Sequence, residues 1–225
     1  MQRRDFLKQG TAAAGIASAA ALAARAADDD SNKADEGGKP EAERAKVKLK
    51  YAPHFGMFEN LAGRDPIDQL KFAAAQGFTA WEDNGMKGKP PELQERIGAT
   101  LSELNMTMGV FVAHGSFGEV TFAGRNKDAR EKVLGDLQDS VEVAKRCGAK
   151  WLTVVPDAYD VRTEWGYQTA NCVELLRRGA EIFEPHGLVM VLEPLNWWTN
   201  HPGLFLHKIP QAYEICRAVD SPACK

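Results

Sequence analysis

The sequence has little excess charge and no long run of apolar residues. Lys and Arg number 28 against 31 Asp and Glu, which gives a formal net charge of −3 at pH 7. A nucleic-acid-binding protein typically shows a basic stripe, whereas these basic residues are scattered among acidic ones. We therefore predict no nucleic-acid partner. With 44% hydrophobic residues in 225, the chain can bury one sizeable core in a single domain.

Several short motifs are also missing. The four cysteines form no C-x-x-C pair and no Cys/His spacing typical of a zinc site. No G-x-G-x-x-G follows the first apolar run, and no G-x-x-x-x-G-K-[ST] occurs, which argues against a nucleotide-binding open sheet. We interpret the cysteines as small apolar core residues. If a disulfide forms, Cys216 and Cys224 are the nearest pair in sequence.

The first 26 residues have the features of an export signal. The run RRDFLK (3–8) resembles the twin-arginine pattern, although Gln2 stands where Ser or Thr is usual. A weakly apolar, Ala-rich run to about residue 24 is too short and mild to span a membrane, and Ala24-Arg25-Ala26 supplies a cleavage site. We predict twin-arginine export, a periplasmic mature protein and no stable membrane anchor. A chance arginine pair on an N-terminal helix is the alternative.

A charged stretch separates this signal from the rest of the chain. Residues 27–46 contain Gly and Pro and are almost free of large apolar side chains. Such a segment cannot bury enough surface to offset its ordering entropy, so we predict a flexible linker. The folded domain is expected to cover residues 47–225.

Within this domain, short apolar runs alternate with segments of helical period. The predicted strands are 47–52, 78–82, 107–113, 151–155 and 188–193. Helical periodicity is clearest over 126–147 and 168–184. Gly77, Gly148 and Gly187 each fall between a helix and a strand, where a left-handed C-cap is wanted. This alternation predicts an α/β fold with a parallel sheet covered by helices.

Polar residues at the strand ends favour a (β/α) barrel, because barrel enzymes collect functional groups at the carboxyl ends of successive strands. The count of units is short, however. Five units occupy residues 47 to about 219, whereas eight need roughly 250 residues. The segment Ser221–Lys225 ought to lead into a sixth strand. We therefore expect a C-terminally truncated barrel that is not a competent enzyme by itself and exposes its sheet edges.

Glu193 is the most informative candidate for chemistry. It ends the apolar run 188–192 and precedes Pro194, which cannot extend a central strand ladder. In a barrel, a carboxylate at this position can bind a divalent cation or act as a base. A salt bridge or helix cap at the strand end is the structural alternative.

Around Glu193 the sequence resembles the hydroxypyruvate isomerase family of the xylose-isomerase-like barrels. The resemblance is carried by VMVLEPLN (189–196) and NHPGLFLHKIPQAYEIC (200–216), and ahead of them by AKWLTVVPD (149–157) and GYQTANCVELLRRGAEIFEPHGL (166–188). It runs from about Val47 to the last residue and is looser near the start. The E-P-L-N stretch is its most specific element.

This resemblance implies a metal-assisted isomerase. It places on Glu193 the roles of metal ligand and catalytic carboxylate, with Mg²⁺ or Mn²⁺ as the expected cofactor. It also implies further ligands and a second catalytic Glu, which would lie beyond Lys225. The implied reaction interconverts hydroxypyruvate and tartronate semialdehyde through an enediolate. The expected partner is a small hydroxy-carbonyl compound or a sugar. Whether the protein forms a homo-oligomer is left open.

Four other residues are candidates for contacting the substrate. Asn196 lies three residues after Glu193 and can bond a hydroxyl or form a turn. His54 and His114 close the first and third predicted strands. His201 follows Trp197-Trp198 in a loop that could form a lid over a sugar or simply cover the barrel. We expect Glu82 to have a structural role.

Other functions remain open at this point. A ketose epimerase or a sugar-phosphate isomerase of the same superfamily would use the same fold, since fold does not fix the substrate. An exported sugar-binding barrel without catalysis is a different class of answer. A DNA-repair endonuclease shares the barrel but is disfavoured by the acidic charge and by export.

Overall fold

The computed structural model of the protein describes residues 49–225, so the predicted signal peptide at 1–26 and linker at 27–46 lie outside the described residues. The helices are α1 (Glu59–Ala62), α2 (Pro66–Ala75), α3 (Pro91–Glu103), α4 (Lys127–Cys147), α5 (Trp165–Phe183) and α6 (Ile209–Val219). The strands are β1 (Ala80–Trp81), β2 (Thr107–Met108), β3 (Val110–His114), β4 (Trp151–Val154) and β5 (Val189–Leu192).

The pairs among the described strands β1 to β5 are parallel, and these strands follow one another in chain order. Strand β1 pairs with β2, and β3, β4 and β5 form a ladder in that order. Hydrogen bonds from Asp83 N to Val110 O (3.2 Å) and from Val112 N to Asn84 O (3.4 Å) continue the pairing between these two groups. A parallel sheet whose neighbours are also neighbours in sequence is the arrangement of a (β/α) barrel wall.

The predicted strand 107–113 is divided in two at Gly109. The chain changes partners there, because β2 pairs with β1 whereas β3 pairs with β4. The Gly109 backbone approaches Trp81 so closely that an added Cβ would lie 3.0 Å from the Trp81 carbonyl oxygen. A glycine inside a strand commonly marks such a close approach.

The predicted strand 47–52 is wrong over the residues that the structure describes, because residues 49–52 form no strand. Leu49 and Tyr51 are exposed, so this run does not bury an apolar face. The next residue is Pro53, which has no N–H for a ladder, although its carbonyl accepts a hydrogen bond from Glu82 N at 3.0 Å.

The predicted helices 126–147 and 168–184 are confirmed as α4 and α5. Asn126 caps α4 by accepting a hydrogen bond from Ala129 N at 2.9 Å, and Gly148 ends that helix with φ +73°. Their predicted inner faces are buried, through Val133, Leu137, Val141 and Ala144 on α4 and Val173, Leu176, Ala180 and Phe183 on α5. Burying one large apolar side chain stabilises the fold by about 1.5–3 kcal/mol.

The segment after α6 returns to the sheet beside β5. Met190 N donates to Ala223 O at 2.8 Å, Lys225 N donates to Met190 O at 2.9 Å, and Leu192 N donates to Lys225 O at 2.8 Å. Cys224 and Met190 form a parallel bridge. Residues 223–225 therefore pair with β5 as a sixth strand would.

None of the helices within residues 49–225 is both long enough and apolar enough to cross a bilayer.

Candidate active site

Glu193 lies at the carboxyl end of β5, as the sequence predicts. Its backbone N–H donates to Val154 O of β4 at 3.2 Å, which fixes the position of its Cα at the sheet edge. Its side chain is exposed, and within residues 49–225 no cationic side chain forms an ion pair with it. The carboxylate is thus open to an incoming ligand.

Asn196 forms the turn that follows this strand. Its side-chain oxygen accepts hydrogen bonds from Trp198 N at 3.1 Å and Thr199 N at 3.3 Å, while Nδ2 donates to Asn200 at 3.2 Å. This is an Asx-type turn, one of the two roles expected for Asn196. The predicted contact of Asn196 with a substrate stays a prediction.

His201 is held next to the same turn. Its backbone N–H donates to Asn196 O at 2.8 Å, and its ring stacks on Phe117 with centroids 5.2 Å apart. Phe117 belongs to the loop after β3, so this contact joins the loops that follow β3 and β5. The two tryptophans between Asn196 and His201 have different environments. Trp197 stacks on Tyr159 with ring centroids 5.1 Å apart, whereas Trp198 is 90% exposed.

His114, at the end of β3, is buried between two carboxylates. Its Nε2 lies 2.8 Å from Asp157 Oδ2, and its Nδ1 lies 2.8 Å from Asp136 Oδ2. A carboxylate only accepts hydrogen bonds, so satisfying both contacts requires both ring nitrogens to carry protons. A substrate could reach a His114 nitrogen only by displacing one of these carboxylates.

The electrostatics of this group agree with a protonated imidazole. Burial alone would lower the pKa of His114, but the hydrogen bonds and charges of Asp157 and then Asp136 outweigh it, and the pKa is raised from 6.5. For Asp136, burial favours a higher pKa, yet the hydrogen bonds of His114 and Lys87 lower it from 3.8. Lys87 Nζ extends the chain by donating to Asp136 Oδ1 at 3.1 Å and to Ala113 O at 3.0 Å.

Asp157 connects the loops at the carboxyl edge of the sheet. It is fully buried and adopts φ +32°, in the left-handed region that Asp tolerates better than most residues. Besides His114, its carboxylate accepts hydrogen bonds from Ser116 N and Thr121 Oγ1, each at 2.6 Å. Its backbone oxygen accepts from Phe205 N at 2.8 Å. Asp157, in the loop after β4, thus contacts both the loop after β3 and the loop after β5.

Sequence reasoning identified the ends of β3 and β4 but missed Asp136 and Lys87. Asp136 borders the apolar face of α4, immediately before Leu137, and Lys87 lies in the short 3₁₀ helix Met86–Gly88. A polar residue at the edge of a helix's apolar stripe was the only available signal for Asp136. Nothing local to Lys87 indicates its contacts.

The His54 side chain is not part of the hydrogen-bond network of His114, Asp136 and Asp157. Its side chain is exposed, and Nδ1 contacts the carbonyl oxygen of its neighbour Phe55 at 2.9 Å. Its proposed contact with a substrate also stays a prediction. The backbone N–H of Glu82 donates to Pro53 O at 3.0 Å, and the predicted structural role of its side chain stays a prediction.

A divalent cation needs several oxygen or nitrogen ligands held close together. No group of three or more His, Cys, Asp or Glu side chains within residues 49–225 is arranged to hold a metal ion. The carboxylates of Asp136 and Asp157 are already hydrogen-bonded to His114. The described residues therefore do not form a complete metal site, and the predicted role of Glu193 as a metal ligand stays a prediction.

Comparison with curated proteins gives weak matches to isomerases. The inosose isomerase of Bacillus subtilis (strain 168) is 25% identical over 101 residues, which cover 45% of this chain and 35% of that protein. The chain thus matches about a third of the length of such relatives.

Solved structures share the fold at low sequence identity. An AP endonuclease of family 2 from Brucella melitensis superposes with a TM-score of 0.61 at 21% identity, covering 77% of this chain and 65% of that one. The D-psicose 3-epimerase of Clostridium cellulolyticum H10 gives 0.61 at 15% identity, covering 79% and 62%. The IolI protein, in a structure with a zinc atom, gives 0.61 at 18% identity, covering 77% and 61%.

A family model decides the assignment that these similarities leave open. It describes the xylose isomerase-like TIM barrel and matches residues 70–225, the part of the chain that contains every element from β1 to residues 223–225. The matched region has the parallel β/α order of that fold. This chain belongs to the xylose isomerase-like TIM barrel family.

Proposed function

We propose that this chain is part of an isomerase or epimerase that acts on small, sugar-like hydroxy-carbonyl compounds. Similar proteins support this class of reaction, because an inosose isomerase is among the curated relatives and a D-psicose 3-epimerase is among the structural neighbours. The observation that carries the proposal is the position of Glu193. It presents an exposed carboxylate, free of ion pairs with other described residues, at the carboxyl end of a central strand.

In the proposed reaction, Glu193 moves a proton at the carbon next to the carbonyl. Removing that proton yields an enediolate, and returning it to the neighbouring carbon completes an isomerisation. Returning it to the same carbon from the other face would be an epimerisation. No described cationic side chain forms an ion pair with Glu193, so its carboxylate is available to accept the proton.

The finer proposal concerns the substrate. The resemblance of VMVLEPLN (189–196) to the hydroxypyruvate isomerase family makes hydroxypyruvate the first candidate. Glu193 would take a proton from its C3, and protonation at C2 would give tartronate semialdehyde. Inosose is the second candidate, because inosose isomerases are among the curated relatives. Trp198, exposed in the turn after Glu193, offers a ring face against which a substrate such as inosose could pack.

We also propose Glu193 as one ligand of a divalent metal ion, Mg²⁺ or Mn²⁺ being expected from the resemblance. The remaining ligands would come from residues other than 49–225, since these do not complete a site.

The test is proton exchange catalysed by the full-length protein. Hydroxypyruvate and inosose are incubated in D₂O, and deuterium at the carbon next to the carbonyl is followed by NMR. Glu193→Gln should slow exchange by about 10²–10⁴-fold, because Gln keeps the size but cannot take a proton. Glu95→Gln, at an exposed carboxylate on α3, is the matched control and should retain wild-type exchange.

Exchange by Glu193→Gln within a few-fold of the wild type would contradict the role of Glu193. Tight binding of either sugar-like compound without any exchange would instead support the non-catalytic binding barrel.

A further inference from the structure

Two cysteines lie close together near the C-terminal residues of the chain. Cys216 lies on α6 and Cys224 in the segment 223–225 that pairs with β5. Both residues line one largely apolar cleft of about 670 Å³, and their thiols are close enough for each to shift the pKa of the other. Both are free thiols in this structure.

Their environments differ in a way that assigns them different roles. Cys216 is half-buried and opens to the cleft, whereas Cys224 is 1% exposed. Interaction with the Cys224 thiol lowers the pKa of Cys216, and the same interaction raises the pKa of Cys224. The thiolate is the reactive form of cysteine, so Cys216 is the better nucleophile of the two.

The two remaining cysteines lack this combination. Cys147 and Cys172 are both buried, and burial raises the pKa of each thiol. Cys172 on α5 is the nearest competitor, since its thiol is close enough to affect Cys224 electrostatically. The cysteines do not make a metal site either, as no three potential ligands in the described part of the chain are arranged for one. What remains for this pair is thiol chemistry.

We propose that Cys216 and Cys224 form a reversible dithiol–disulfide site that ties α6 to the segment paired with β5. The oxidant is a small-molecule or protein disulfide. The Cys216 thiolate attacks one of its sulfurs and releases the other as a thiolate, which leaves a mixed disulfide on Cys216. Cys224 then attacks Cys216 Sγ and releases the second oxidant thiol. Two protons and two electrons leave the protein, and the oxidant disulfide is reduced to two thiols.

The Cys216–Cys224 disulfide would constrain residues 223–225, which pair with β5. Only seven residues separate the two cysteines, and they include the turn from α6 to the strand-like segment. In the reduced state, residues 223–225 are held by three backbone hydrogen bonds to β5. A covalent tie to α6 would keep this segment in register beside the strand that carries Glu193. This inference does not depend on the proposed function.

The experiment maps disulfides in the full chain. The protein is equilibrated in oxidised glutathione, free thiols are alkylated, and tryptic peptides are analysed by mass spectrometry. Cleavage after Lys208 and Arg217 places Cys216 in peptide 209–217 and Cys224 in peptide 218–225. We expect these peptides to be joined, lighter than their sum by two hydrogen atoms, and to separate on reduction with dithiothreitol.

Controls use the other thiols and the unfolded chain. Cys216→Ser and Cys224→Ser should each abolish the cross-link, whereas Cys147→Ser should preserve it. Cys216 is only half-buried, so its variant remains informative if Cys224→Ser fails to fold. The oxidised protein should also have a higher urea midpoint than the reduced protein, because the cross-link restricts the denatured chain.

Several results would overturn the proposal. These are four alkylated thiols after oxidation, a link from peptide 163–177 (Cys172) or 147–150 (Cys147) as the main product, or a yield no higher in native than in guanidinium-unfolded protein. An unchanged urea midpoint with the disulfide formed would overturn the tethering of α6.

Discussion

The imidazole of His114 and the carboxylate of Asp157 are buried together, with Nε2 and Oδ2 2.8 Å apart and the two residues 4% and 0% exposed. Removing one partner of such a pair leaves an uncompensated buried charge, a loss that typically costs about 3–5 kcal/mol. Because Asp157 also accepts hydrogen bonds from Ser116 and Thr121, the pair fixes the loops around the carboxyl ends of β3 and β4.

Asp136→Asn should lower the pKa of His114. The substitution preserves an acceptor near Nδ1 but removes a negative charge that favours the imidazolium. NMR titration of the His114 ring measures this directly, and the wild-type value should lie above 6.5. Asp139→Asn, at an exposed carboxylate elsewhere on α4, is the control and should leave the titration unchanged. A His114 pKa that does not fall in Asp136→Asn would contradict the network.

The same groups predict how stability depends on pH. Because the pKa of His114 is raised, its contribution to the free energy of unfolding is fully present below pH 6.5 and is lost as the pH rises through the folded-state pKa. The pKa of Asp136 is lowered, so its contribution is present above pH 3.8 and is lost as the pH falls through the folded-state value. Urea unfolding of wild type and Asp136→Asn across both ranges should show the variant with the weaker dependence in each.

Two helix glycines should respond in opposite ways to alanine. On α3, a Cβ at Gly98 would overlap the Arg146 carbonyl oxygen at the end of α4, so Gly98→Ala must push the helices apart. On α4, Gly135 is exposed with nothing within 4 Å, and Gly135→Ala should stabilise the protein by roughly 0.5–1 kcal/mol. Urea midpoints of both variants test the close contact of α3 with α4. Equal stabilisation by both substitutions would show that these helices are further apart.

Divalent metal binding at Glu193 in the 225-residue chain should be weak. The described residues supply one carboxylate there, and we expect a dissociation constant of roughly millimolar or weaker. Paramagnetic broadening by Mn²⁺ of NMR signals near Glu193 measures this site specifically, and Glu193→Gln should abolish the broadening. Micromolar binding that persists in this chain would require ligands that residues 49–225 do not provide.

The N-terminal residues should be removed on export. We propose that a twin-arginine signal occupies 1–26, which places the N-terminus of the periplasmic protein at Ala27. N-terminal sequencing of exported protein checks the cleavage site. Changing Arg3 and Arg4 together to Lys should block export, whereas Lys8→Arg should not. Normal export of the double variant would exclude this route.

Much of the fold could be predicted because its helices and strands carry strong local patterns. The apolar stripes of α4 and α5 have the helical period, and β4 and β5 are continuous apolar runs before polar residues. The failures have a different origin. The run 49–52 looks apolar but does not reach the core, and the division at Gly109 depends on its contact with Trp81, which is distant in sequence.

The candidate site shows the same limit more sharply. The position of Glu193 follows from a strand ending before a proline. The environment of His114 does not, because its two carboxylates come from a helix and from another strand end, 22 and 43 residues away. The Asx turn made by Asn196 was one of two alternatives that the residue type allows, and the sequence did not decide between them.

The strict chain order of the sheet also bears on how the protein reaches its native state. Strands β3, β4 and β5 each pair with a strand about forty residues away, and no described strand waits for a partner from the far end of the chain. Every βα unit can therefore dock onto the preceding one as it leaves the ribosome, so the barrel wall can assemble stepwise during synthesis. At each stage the newest strand presents an open edge, which makes this growing edge the point most exposed to misassembly until the next unit covers it.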